Sequence, residues 1–139
     1  MSAEAPRIAA TRLDHRTLVA TAARVAIAAT FALALLELLW ESILAPLGGH
    51  PSWLALKALP VALLLPGTMR GARRPRQWLA LLLPFYLAEA LARAVGEHGR
   101  QALVAATACI VATIAFVALL SWFRGERLRQ RKHDALDDA

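Results

Sequence analysis

The sequence has 139 residues, 58% of them hydrophobic, and 16 Lys and Arg against 10 Asp and Glu give it a net charge of +6. Its mean hydropathy is +0.49, and the apolar residues fall in four blocks that leave little chain for a separate soluble domain. The positive charges lie between and beside those blocks, which suits anionic lipid and argues against nucleic acid, while the single cysteine, Cys109, excludes a disulfide framework or a cysteine metal centre.

In chain order, residues 1–17 (MSAEAPRIAATRLDHRT) are mixed in character and are expected to form an N-terminal tail. A cleavable signal peptide is not expected, because acids accompany the arginines and the apolar block that follows is too long. The membrane domain is placed at 18–123. Its first span covers about 24–44, with a charge-free core from Val25 to Leu36, and Glu37 and Glu41 follow late on one helical face. Pro46, Gly48, Gly49 and Pro51 mark a turn.

The second span, about 52–69, is short for a hydrocarbon core that takes roughly 20 helical residues, and it contains Pro60. A re-entrant hairpin is the competing reading for this segment. RGARRPRQ then forms a basic loop. The third span, about 78–95, contains Pro84 and Glu89. After the tight connection GEHGR comes the fourth span, about 101–123, with neither charge nor proline. The tail 124–139 begins basic and ends acidic. The expected fold is thus all-α: a four-helix transmembrane bundle with proline-interrupted second and third helices. A soluble bundle would need four helices apolar on every side in a very short chain.

Arginine placement sets the expected orientation. Arg7, Arg12, Arg16 and Arg24 precede or open the first span, Arg70, Arg73, Arg74 and Arg76 fill the second connection, and the C-terminal tail carries Arg124, Arg127, Arg129, Arg131 and Lys132. The first connection has no Lys or Arg, and in the third Arg93 and Arg100 are offset by Glu97. The positive-inside rule then gives both termini in the cytoplasm of a bacterium, with the protein in the inner membrane. Trp40 and Trp53 flank the outer turn, while Trp78 and Trp122 stand at inner span ends, the positions of interfacial anchors.

Ionisable residues within the apolar blocks are the candidate site. Glu37, Lys57, Glu89 and Arg93 all fall in the expected outer half, and Tyr86 stands three residues before Glu89. Charge in hydrocarbon is costly unless paired or wet. Lys57 can pair with Glu37 or Glu89, and Glu89 with Arg93 at i,i+4. The cluster has three readings: orienting pairs that hold the bundle, a small-molecule, ion or proton pocket, or an interface with a membrane partner.

Arg70, Arg73, Arg74 and Arg76 read as an anionic-lipid clamp or as topology determinants alone. The four histidines lie in different extramembrane segments. Only His50 and His98 share a side, with Glu41 or Glu97 as acidic neighbours, and no metal site or cofactor is expected. Ser42, Ser52 and Ser121 lack a His or Asp at catalytic spacing, so no enzyme is expected.

The stretch Lys57–Val95, KALPVALLLPGTMRGARRPRQWLALLLPFYLAEALARAV, carries a set of polar and proline positions: Lys57, Leu59-Pro60, Pro66, Arg70-Gly71, Gln77-Trp78, Tyr86 and Glu89. In these positions it resembles a family of small bacterial inner-membrane proteins that carry a domain of unknown function. The resemblance implies four spans and an inner-membrane location, and it implies no activity. Family members carry an acidic residue early in the last helix, where this chain has AATACIVAT. A family site built on that acid is either missing here or uses Glu37.

The functional expectation is a non-enzymatic structural or partner-binding membrane component, with a membrane-protein partner or a second copy as its occupant and anionic lipid at its cytoplasmic face. The alternative is a transport component for a small solute, ion or proton, using the outer-half cluster.

Overall fold

A computed structural model describes residues 4–39 and 58–137 of the chain. Helix α1 spans Glu4–Leu39, α2 Ala58–Met69, α3 Arg73–Gly96 and α4 Arg100–Asp137. Helix α1 packs against α2 and α4, and α3 also packs against α2 and α4. The helices therefore follow one another around a four-helix bundle, with α1 and α3 on one diagonal. Three segments are long and apolar enough to cross a membrane, Arg16–Leu39, Arg73–Gly96 and Arg100–Arg131, and Ala58–Met69 is a shorter apolar helix.

The buried residues show what each helix contributes. On α3 they are Arg76, Leu79, Leu83, Tyr86 and Ala90, and on α2 they are Ala58, Val61, Leu65 and Thr68. Helix α1 buries Ala26, Thr30, Leu33 and Glu37, and α4 buries Ala105, Ala108, Ala112, Ala115, Ala118, Leu119 and Trp122. The series advance by steps of three and four residues, with Ala118 buried beside Leu119 on α4, and this is the repeat that lets helices mesh side by side in a left-handed bundle. The α4 series is mostly alanine, so its neighbours approach closely, which is how helices gain contact where the surrounding lipid is as apolar as the core. Phe85, Val95, Leu103 and Ile110 point outward and are exposed.

Two glycines mark close approaches between helices. A Cβ added at Gly125 of α4 would run into the Val19 side chain of α1, and one at Gly67 of α2 would meet the Pro75 ring of α3. The hydroxyls of Thr30 and Thr68 donate to the carbonyls of Ala26 at 2.7 Å and Leu64 at 2.9 Å, so neither brings an unsatisfied polar group into the interior.

Several element boundaries differ from expectation. The basic loop shrinks to Arg70–Ala72, and Arg73, Arg74, Pro75 and Arg76 form the first turn of α3. Proline suits that turn because its missing N–H has no intrahelical partner there. Helix α2 ends with Gly71 at φ +74°, while the Gly71 N–H donates to Thr68 and the Ala72 N–H to Gly67, both at 3.0 Å. This pairing closes a helix C-terminus with a left-handed glycine. Prolines do not end the helices: α2 continues through Pro66 and α3 through Pro84.

The expected tails also join the helices. At 1.5 Å per residue, α1 and α4 reach about 54 and 57 Å, well beyond a hydrocarbon core of roughly 30 Å. Alanine, leucine and arginine are strong helix formers, and the α1–α4 contact carries both helices onward together.

Candidate functional site

Two polar groupings occupy the bundle interior. The first is at the end that carries the α2–α3 turn. Arg76, four residues into α3, is only 4% exposed. Its Nη1 donates to Glu126 Oε1 of α4 at 2.7 Å, its Nη2 to the Gly71 carbonyl at 3.0 Å, and its Nε to the Ala72 carbonyl at 3.2 Å. The guanidinium carbon lies 4.3 Å from the centre of the Trp122 ring and 5.6 Å from that of Phe123.

One side chain thus closes the turn, pairs with α4 and stacks on two aromatics. This suits a planar cation with five donors and weak hydration, and a lysine cannot reproduce it.

Arg76 was expected at the lipid surface with Arg70, Arg73 and Arg74. The structure corrects that, because its position continues the Leu79–Leu83–Tyr86 row into the bundle, while Arg70, Arg73 and Arg74 are exposed. Trp122 needs the same correction as an interfacial anchor: it is 7% exposed and lies beneath Arg76. Trp78 is 61% exposed. Trp40 and Trp53 lie outside the described residues.

The second grouping comes from α1 and α3. Glu37 and Tyr86 are buried, and the carboxylates of Glu37 and Glu89 are both within electrostatic reach of the Tyr86 hydroxyl. Arg93 Nη2 stands 2.9 Å from Glu89 Oε1 along α3. The structure therefore brings together Glu37, Tyr86, Glu89 and Arg93. Lys57, expected to pair with one of the acids, lies outside the described residues. Cys109 is half-buried on α4, with Sγ 3.9 Å from the Leu87 carbonyl.

Sequence reasoning missed Glu126, which stood in a run of tail charges. Its signal was register: 119, 122 and 126 continue the three–four spacing of the alanines at 105, 108, 112 and 115. Among the described residues, no group of three or more His, Cys, Asp or Glu is placed to hold a metal. These groups support ion pairing and hydrogen bonding inside an apolar bundle.

No curated protein and no solved structure matches the chain. A protein-family model described as "Predicted membrane protein (DUF2069)" matches residues 25–127, from the start of the first apolar segment to just past Glu126. With most of its length covered by that match, and with a bundle whose long helices can cross a membrane, the chain belongs to the DUF2069 family of multi-pass membrane proteins.

Proposed function

We propose that this membrane protein is a non-enzymatic structural or partner-binding component of the bacterial inner membrane, with four spans and both termini in the cytoplasm. The observation that carries this reading is the burial of Glu37 on α1 and Tyr86 on α3 beside the half-buried Glu89–Arg93 pair. Ionisable groups are tolerated in hydrocarbon when they engage one another, and such groups fix which helix faces meet. The prolines at 66 and 84 then serve as bends within continuous helices. The arginine-rich α2–α3 turn and C-terminal segment support the orientation. The extension of α1 and α4 beyond the span supplies a cytoplasmic surface for a partner.

The test is affinity purification of the tagged protein from native membranes, with the co-purifying proteins identified and quantified. A stoichiometric membrane-protein partner, or a second copy, is the expected result. Proteoliposome flux assays test the competing transport reading. Proton or solute flux that Glu37→Gln abolishes, with no stoichiometric partner, would overturn the proposal in favour of transport through the α1–α3 grouping.

A further inference from the structure

Residues of α3 and α4 beside the Arg76–Glu126 pair line a cleft of about 510 Å³ at that end of the bundle. One end of its lining is cationic: Arg73 from α3, and Arg124 and Arg127 from α4, all exposed. None of the three is paired with a carboxylate among the described residues. Gln77 and Gln130 add uncharged donors. The one acid in the wall, Glu126, is engaged by Arg76 at 2.7 Å, so its charge is already matched from within the bundle. Among the described residues, the cleft thus presents three guanidinium groups without a carboxylate partner.

The other end of the lining is apolar. Val117, Leu120 and Phe123 continue the wall toward the middle of the bundle along α4. The change occurs at Phe123–Arg124, where the charge-free run of α4 ends. The exposed Trp78 is one residue beyond Gln77, at the same end of α3, and exposed tryptophan favours the headgroup level of a bilayer. The cleft therefore crosses the boundary between headgroups and hydrocarbon, cationic on one side of it and greasy on the other.

We infer that the α3–α4 cleft is a binding site for an anionic glycerophospholipid. Its phosphodiester lies among Arg73, Arg124 and Arg127, and an acyl chain runs along Val117 and Leu120. Arginine forks match phosphate oxygens in pairs, and the geometry gives one phosphate access to donors from two helices. A zwitterionic lipid would bring its own cation against three arginines, so the site discriminates by net charge. A soluble anion would leave the apolar half of the cleft empty. This site lies at the opposite end of the bundle from the Glu37 grouping and does not depend on the function proposed for it.

The test uses the whole protein, purified in detergent and exchanged into nanodiscs or micelles that contain phosphatidylglycerol or phosphatidylcholine, with bound lipid counted by native mass spectrometry. Phosphatidylglycerol should be retained through delipidation and phosphatidylcholine should not. The double variant Arg124→Gln with Arg127→Gln should weaken retention roughly thirtyfold, since each arginine near acidic lipid contributes about fivefold. Arg70→Gln with Arg74→Gln, which removes the same charge outside the cleft, should weaken it less than about threefold.

Thermal unfolding in phosphatidylcholine should be the same for both variants and the parent, which separates lost binding from lost folding. Equal retention of the two lipids, equal losses in the two variants, or equal stabilisation by inorganic phosphate without lipid would each overturn the proposal.

Discussion

Arg76 of α3 and Glu126 of α4 meet at 2.7 Å with the Arg76 guanidinium stacked on Trp122, so an ion pair separated by 50 residues in sequence joins the basic turn to the last helix. Arg76 is almost wholly enclosed, whereas the Glu126 side chain is 34% exposed, and that asymmetry sets the first prediction. Arg76→Met leaves a carboxylate that water still reaches, and with the loss of the turn hydrogen bonds it should lower unfolding free energy by about 1–2 kcal/mol. Glu126→Gln leaves the enclosed Arg76 guanidinium without its counter-charge and should cost about 3 kcal/mol. Denaturant titration in mixed micelles gives both values. A double-mutant cycle with a coupling near zero would show that the pair does not join the helices.

The ion pair of Glu89 and Arg93 at 2.9 Å offers a contrast within the same helix. Both side chains are partly exposed. Arg93→Gln should therefore cost no more than about 0.5 kcal/mol in the same titration. A loss as large as that of Arg76→Met would mean that Arg93 holds a second helix.

Gly125 faces Val19 so closely that a methyl group has no room. Gly125→Ala should destabilise by about 1–3 kcal/mol through overpacking, and Val19→Ala in the same chain should recover much of that loss. Thermal melts of the two single variants and the double variant check it. Absence of rescue would show that α1 and α4 do not touch at this level.

The alanine row of α4 makes a similar demand. Ala112→Leu, at a fully buried site, should destabilise by about 2 kcal/mol or more, while Ile114→Leu on the exposed face should change stability by less than about 0.5 kcal/mol. The same melts read both. If the two substitutions are tolerated equally, the α4 face assigned to the interior is wrong.

Fluorescence separates the two described tryptophans. In single-tryptophan versions, lipids brominated on the acyl chain near the headgroup should quench Trp78, which is 61% exposed, and leave Trp122, at 7%, mostly unquenched. Equal quenching would contradict the burial of Trp122 beneath Arg76.

The amino-acid sequence determined that the protein is helical and resides in a membrane. Long apolar runs such as Val25–Leu36 and Ala102–Leu120 have one stable form in hydrocarbon, because only a helix satisfies every backbone N–H and C=O within its own segment. The tight connection after Gly96 was legible from its run of glycines and charges between two apolar segments. Helix faces were not. In water an apolar stripe announces the core, but lipid is as apolar as protein, so that contrast vanishes around each span. What marks the interior here is a three–four row of alanines, threonines and a few charged groups, which has meaning only once the helices are packed. Nothing local distinguishes Arg76 from Arg73 and Arg74: all are arginines in one basic run. Tertiary structure alone decided that one of them turns inward to meet Glu126 and Trp122 while its neighbours stay at the surface. Rotation of about 100° per residue puts position 76 on the row of Leu79 and Leu83, and the partner that makes its burial tolerable lies on another helix.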